Sequence, residues 1–162
     1  RQARLLHTSE LAFDANDQLF ERTDSPERQP NPLDRGIRIL HLEGELFFGA
    51  TGELVGALDK HLDDPDVRVL ILRMKRAKRL DATVARLFET AKDRLARRGA
   101  HLLLCGITPD VLQVLDKSGA ADHVGRENLF PTRNTWFEAL KAARDRGREL
   151  VRERPRSDTE SP

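Results

Sequence analysis

From Gly36 to Leu150 short apolar runs alternate with amphipathic segments whose ends carry helix punctuation, and few folds accommodate that order. Ile37-Arg38-Ile39-Leu40-His41-Leu42 is β-branched and partly alternating, which predicts a strand. The pattern breaks at Gly44 before Phe47-Phe48 are expected to return to the core. Thr51 is placed to cap a helix with Leu54, Val55, Leu58 and Leu62 on one face, and Asp63-Asp64-Pro65 stops it. Val67–Leu72 predicts a second strand, buried on both faces at its apolar centre.

The next helix is marked at both ends. Asp81 is an N-cap, Val84, Leu87, Phe88, Ala91 and Leu95 form one stripe, Arg97-Arg98 suit the negative dipole end, and Gly99 supplies a left-handed stop. His101–Cys105 predicts a third buried strand, closed by Gly106. Thr108-Pro109-Asp110 opens another helix with a cap, a proline and an acid; Val111, Leu112 and Leu115 face inward and Gly119 ends it. A brief strand is expected at Asp122–Val124, then a helix from Thr132 with Trp136, Ala139, Leu140 and Ala143 on one side. This β-α-β-α-β-α-β-α order implies an α/β layer fold, a largely parallel sheet joined by crossover helices.

The flanks read differently. Residues 1–35 hold Pro26, Pro30 and Pro32 among Asp24, Ser25, Asn31 and Asp34, which suits a linker or N-terminal arm. Leu11–Phe13 and Leu19–Phe20 are spaced for a short edge hairpin within it, the alternative being a partly ordered arm. Residues 36–150 make the folded domain, and 151–162 are expected to be a disordered charged tail. The chain starts at Arg1 without a secretory pattern, so it is expected to begin inside a longer polypeptide or after a removed tag.

Composition excludes several functions. The 28 basic and 27 acidic side chains nearly cancel at +1, which argues against a bulk nucleic-acid binder. Seven Phe, one Trp and no Tyr leave no stacking platform for single strands. One cysteine forbids an intrachain disulfide and suits a reducing compartment. The longest apolar run, Leu102–Ile107, is far short of the roughly 20 residues of a membrane span. A soluble, intracellular-type chain is expected.

Ligands of an open parallel sheet sit outside the carboxyl ends of its strands. No G-x-G-x-x-G follows a strand there, and no G-x-x-x-x-G-K-[ST] occurs anywhere. Gly49-Ala50-Thr51-Gly52 lacks the lysine of a phosphate cradle and reads as a helix entry needing small residues. There is no G-x-S-x-G elbow, and most of the serines lie in the arms or at a helix end. Cys105 stands where a reactive thiol belongs, yet Leu-Leu-Leu-Cys reads as a small buried hydrophobe. His41 and His101 read as structural, and the histidines and cysteine lack metal-site spacing. No catalytic residue, metal or cofactor is expected.

The most distinctive segment is Arg73-Met74-Lys75-Arg76-Ala77-Lys78-Arg79-Leu80-Asp81-Ala82-Thr83, with five basic residues in seven positions before a helix start. A basic loop at helix amides could hold phosphate, a nucleotide or an acidic partner, or could be a solvated loop paired with nearby acids. The Asp81 carboxylate already occupies the free amides and repels a second anion, which favours a protein surface. Lys75, Arg76, Lys78, Arg79 and Asp81 are therefore the candidate binding residues.

Ile39–Ala50, the Val67–Met74 strand and Leu80-Asp81-Ala82-Thr83 resemble the STAS domain of SulP anion transporters. That family shows a strand, an l-x-G-x-l-x-F segment, small residues, a helix, and a strand leading to i-D-x-[ST] at a helix start. Gly99, Leu104-Cys105-Gly106 and Gly119 continue the ordered match, which covers about Leu33 to Leu150. The resemblance implies a STAS fold: a mixed, mostly parallel sheet of four to five strands, with about four helices and a first strand near the N-terminus. It implies a non-catalytic domain on the cytoplasmic side of the membrane, at the C-terminal end of a transporter for sulfate, bicarbonate or dicarboxylates. Its expected partners are the membrane domain of the same polypeptide, a second copy through the parent transporter, or a regulatory protein, with weak nucleotide binding in some relatives.

The resemblance also admits a free-standing anti-sigma-factor antagonist, in which a Ser or Thr directly after the helix-start Asp is phosphorylated. Here that position is Ala82, a departure from the switch pattern, and Thr83 follows as a candidate acceptor or a second capping hydroxyl. A small enzyme or nucleotide module on a similar sheet has only fold analogy behind it. Charge distribution favours docking. Residues 43–66 carry seven acids against Lys60, residues 73–79 contribute +5, and residues 141–156 hold seven basic groups against three acids. Such a polarised surface would orient a partner rather than grip nucleic acid.

Overall fold

Val69-Leu70-Ile71-Leu72 is apolar at every position because both faces of its strand are covered. The computed structural model describes residues 6–133 and 137–153. Six strands form one sheet: β1 Leu6–Phe13, β2 Leu19–Glu21, β3 Ile37–Glu45, β4 Val69–Lys78, β5 His101–Ile107 and β6 Leu129–Pro131. Their spatial order is β2-β1-β3-β4-β5-β6. β3, β4, β5 and β6 run parallel, while β1 is antiparallel to both β2 and β3. The helices are α1 Thr51–Leu62, α2 Ala82–Ala96, α3 Pro109–Ser118, α4 Ala120–Val124 and α5 Glu138–Arg152.

Two cores follow from strand alternation. Leu40, Leu42, Leu70, Leu72, Leu102 and Leu104 point to one face, where they pack with Leu54, Leu58, Val84, Phe88, Leu95, Val111 and Leu115 of α1, α2 and α3. Ile39, Val69, Ile71, Leu103 and Cys105 point to the other, beneath Ala139, Leu140, Ala143 and Leu150 of α5. The punctuation at α2 and α3 behaves as its chemistry requires. Asp81 and Thr108 accept from the amides of Val84 and Val111, and Gly119 ends α3 in the left-handed region at φ +85°.

Several expectations are corrected. Among the described residues the sheet has six strands rather than four to five: β6, three residues long, is too short to show a period, and the stretch read as linker or arm supplies both β1 and β2. Asp122–Val124 is helical, the end of α4, since Ala120-Ala121 continue the helical path straight out of the Gly119 turn. α5 starts at Glu138 rather than Thr132: the Thr132 amide still donates to Ile107 O of β5, and Phe137, just before the helix, is in the left-handed region at φ +61°. Trp136 and residues 154–162 of the tail lie outside the described residues. Thr51 is the first residue of α1 and not its cap; its hydroxyl donates to the Phe48 carbonyl at 2.8 Å.

The stretch read as linker or arm contributes β1, β2 and a 3-10 turn at Pro32–Asp34. Asp14 sets the hairpin by accepting from the Asn16 and Gln18 amides. The hairpin starts earlier than expected: β1 pairs with β3 from Leu6 opposite Gly44 to Leu11 opposite Ile39, so β2 and not β1 is the edge. Arg144 and Arg148, one turn apart on α5, fasten this stretch down. Arg144 is buried, lies 4.4 Å above the Phe13 ring and bonds Asp17 at 2.9 Å, while Arg148 bonds buried Asp34 at 2.7 Å.

His61 of α1 is buried with its Nδ1 unpartnered, facing Glu10, Arg38, Lys60 and Asp64. Burial holds its pKa below 6.5, as it does for His41, where the Arg73 charge adds to the effect. Both folded values lie below the unfolded value, so the unfolded chain binds protons that the folded chain refuses. Stability is therefore full above pH 6.5 and falls as pH drops below it. Urea midpoints should decline between pH 7 and pH 5, at most about 1.4 kcal/mol per pH unit for each histidine. His61→Leu should flatten that decline, and an unchanged slope would show that His61 protonates freely in the fold.

Candidate functional site

β3 and β4 run on past the point where their neighbour stops. β5 last pairs with β4 at Cys105 opposite Arg73, whereas β3 stays with β4 to Glu45 opposite Lys78. α5 also begins here, with Phe137 stacked 5.4 Å from the Arg73 guanidinium. The basic segment expected to be a loop is thus the end of a strand. Its register slips between His41 opposite Arg73 and Glu43 opposite Arg76, three residues of β4 spanning two of β3.

That bulge decides which charges reach water. Leu70, Leu72, Met74 and Ala77 belong to the core under α1 and α2. Strict alternation from Leu70 would have driven Arg76 and Lys78 into that core. The extra residue puts Ala77 inward instead and leaves Lys75, Arg76 and Lys78 exposed. Gly106 lies against the bulge at φ +70°, and a Cβ there would sit 2.9 Å from the Lys75 amide nitrogen.

Beyond Lys78 the chain turns at Arg79, which holds a left-handed φ of +54° unusual for a residue with a side chain. Three hydrogen bonds then join this turn to the segment after β3, and a fourth caps α2. Leu46 N donates to Lys78 O (2.8 Å), Asp81 N to Leu46 O (3.1 Å), Phe48 N to Asp81 Oδ2 (2.8 Å) and Val84 N to Asp81 Oδ1 (3.0 Å). Asp81 therefore does more than cap: one carboxylate oxygen holds α2 and the other holds the Phe48 backbone. Phe48 is 69% exposed, its ring edge-on to Phe47 at 5.7 Å. Sequence reasoning placed the Phe47-Phe48 pair in the core; an apolar dipeptide after a strand gives no sign of which ring turns out.

The five candidates thus gather at one end of the sheet. Lys75, Arg76 and Lys78 lie on β4, Arg79 in the turn, and Asp81 at the α2 start. Arg76 meets Glu43 at 3.6 Å and Arg79 meets Glu45 at 3.8 Å, exposed pairs worth under about 1 kcal/mol each. Thr83 is the exposed second residue of α2, and the capping role is filled by Asp81. The acids of residues 43–66 do not form the opposing patch that their sequence clustering suggested. Asp59 and Asp63 pair with Arg94, Asp64 pairs with Arg38, and Glu43 and Glu45 lie beside the basic strand.

Nucleophilic chemistry finds no foothold here. Cys105 is fully buried, and burial pushes its thiol up to about 12, with Arg73 pulling weakly the other way. It stays protonated near neutrality and inaccessible to substrate. His41 bonds toward Glu43 at 3.5 Å, remains largely neutral and has no nucleophile beside it to activate. Among the described residues no group of three His, Cys, Asp or Glu side chains could hold a metal ion, and no helix is long and apolar enough to cross a membrane.

The STAS domain profile matches residues 30–136. The chain belongs to the STAS domain family. The "Putative sulfate transporter YvdB" of Bacillus subtilis is 25% identical over 97 residues, which is 60% of this chain but 18% of that protein's length. The crystal structure of a sulfate transporter family protein from Wolinella succinogenes is 28% identical, with a TM-score of 0.60, covering 73% of this chain and 89% of that one. The anti-sigma factor antagonist SpoIIAA in its unphosphorylated form shares the fold at 19% identity and a TM-score of 0.54, covering 70% of this chain and 90% of that one. This STAS domain is thus similar in sequence to a sulfate transporter family protein and shares its fold with an anti-sigma factor antagonist.

Proposed function

We propose that this STAS domain is a regulatory and assembly module on the cytoplasmic side of a secondary anion transporter of sulfate, bicarbonate or dicarboxylate type. It acts by docking onto the membrane region of the same polypeptide, with a second copy or a regulatory protein as further partners. The observation that carries the reading is the end of β3 and β4 that runs on past β5, where Lys75, Arg76, Lys78 and Arg79 are exposed together. Its likeness to a sulfate transporter family structure at 28% identity supports the transporter context. Exposed charges of this kind orient and select a partner more than they stabilise the fold. Reversing all four charges to Glu in the full-length polypeptide should impair assembly and transport while leaving the fold and anion selectivity unchanged. Unaltered assembly and transport would remove this surface from the account.

The second reading, a phospho-switched antagonist, draws on the exposure of Thr83 and the shared fold with SpoIIAA. Ala82, directly after Asp81, has no hydroxyl to accept phosphate, which weighs against it. Asp81 also disfavours a nucleotide, since both of its oxygens already hold backbone amides at the place a phosphate would enter.

A further inference from the structure

We infer that the tip formed by Phe48 and the end of β4 is a contact site for an anionic phospholipid surface. The inference rests on the proposed work of this domain against a membrane region, and it names what the tip meets there: the lipid headgroups beside that region.

Two unlike features coincide at this tip. Phe48 is one of only two large hydrophobic side chains strongly exposed among the described residues, at 69%. A lone exposed Phe is unremarkable on most surfaces. This one is held by its own amide to Asp81, two residues from Arg79, and the preceding Leu46 is held to Lys78. Phe48, Lys78 and Arg79 are therefore fixed on one rigid edge rather than on separate flexible loops. An aromatic ring beside cationic side chains is the combination that seats at a bilayer interface, the ring entering the headgroup boundary and the cations meeting phosphate.

The details of the strand support the same partner. The bulge keeps Arg76 and Lys78 out of the core, and among the described residues no carboxylate oxygen lies within 4 Å of the Lys78 ammonium, although Glu45 is its cross-strand neighbour. Arg76 and Arg79 meet Glu43 and Glu45 only at 3.6 and 3.8 Å, with Arg side chains 69% and 77% exposed. Such loose pairs exchange readily for phosphate oxygens. Arg79 holds its left-handed backbone in the turn directly after β4. A flat protein partner would need an acidic patch with a pocket for Phe48, whereas a bilayer supplies both features without matching.

The test is co-sedimentation of the domain with vesicles of phosphatidylcholine alone and of equal parts phosphatidylcholine and phosphatidylglycerol. Binding is expected only to the anionic vesicles, and it should weaken as salt rises. The Arg76→Glu/Lys78→Glu/Arg79→Glu variant should bind on the order of 100-fold more weakly, from about fivefold per lost cation. Phe48→Ser should lose about tenfold while keeping the salt dependence. Unfolding curves matching the wild type would show that each variant is folded. No sedimentation of the wild type with anionic vesicles at low salt, or equal binding by both variants, would overturn the inference. Co-purification with the detergent-solubilised membrane region separates the two readings. If that persists while vesicle binding fails, the lipid contact is wrong and the docking proposal stands.

Discussion

Replacing Gly106 by alanine should destabilise the domain by about 3 kcal/mol or more, the largest effect expected from adding one methyl group. Two costs combine. At φ +70° a side chain meets its own backbone, worth about 1–2 kcal/mol. The new Cβ would also lie 2.9 Å from the Lys75 nitrogen and 3.1 Å from its Cα. The obstacle is backbone, so no rotamer change relieves it, and forced shifts in packed interiors cost about 1–3 kcal/mol. Gly119→Ala is the control: its φ of +85° carries the first cost, but its Cβ would have nothing within 4 Å. Urea unfolding should show Gly106→Ala losing clearly more than Gly119→Ala. Equal losses would mean that β5 does not press on the β4 bulge.

Arg148→Met should cost about 3 kcal/mol, because it leaves the Asp34 carboxylate buried without its charge partner. The pair is incompletely satisfied even when intact: Asp34 Oδ2 and Arg148 Nη2 are buried with no protein partner. Its net worth against an apolar replacement is therefore small, though breaking it singly is expensive. The double variant Asp34→Leu/Arg148→Met should recover most of the lost stability, and a double variant as unstable as the single would refute that. Hydrogen exchange gives the structural counterpart. In the single variant the amides of residues 31–36 should lose protection before those of β4 and β5 do.

The parallel sheet, α1 to α3, and the caps at Asp81 and Thr108 were legible in the sequence, because each rests on a local pattern: apolar periodicity, a capping side chain or a glycine stop. What escaped is non-local. The β4 bulge depends on how Glu43 and Arg76 meet across strands, and nothing in Met74-Lys75-Arg76-Ala77 announces where the alternation slips. The same contact turned an expected loop into a strand end. β1 reads as arm because His7, Thr8 and Ser9 are polar; it becomes a strand through pairing with β3, which covers their backbone while His7 and Thr8 stay exposed and Ser9 is half-buried. Arg144 and Arg148 stand at i and i+4, a spacing visible in the sequence, but their partners Asp17 and Asp34 are more than 110 positions away. The five candidate residues were legible as one segment, and they lie together at one end of the sheet. The other half of the tip, Phe48, was hidden because two hydrogen-bonded segments had to be joined before the tip existed.

On the proposed function, the charged end of β4 is the surface through which this STAS domain engages the membrane region. The most direct measurement is the affinity of the domain for the separately purified membrane region, with and without Lys75→Glu, Arg76→Glu, Lys78→Glu and Arg79→Glu together. A loss of affinity of at least about tenfold is expected, growing as salt is lowered, with the variant's unfolding midpoint within error of the wild type. A folded variant that binds the membrane region as tightly as the wild type would contradict it.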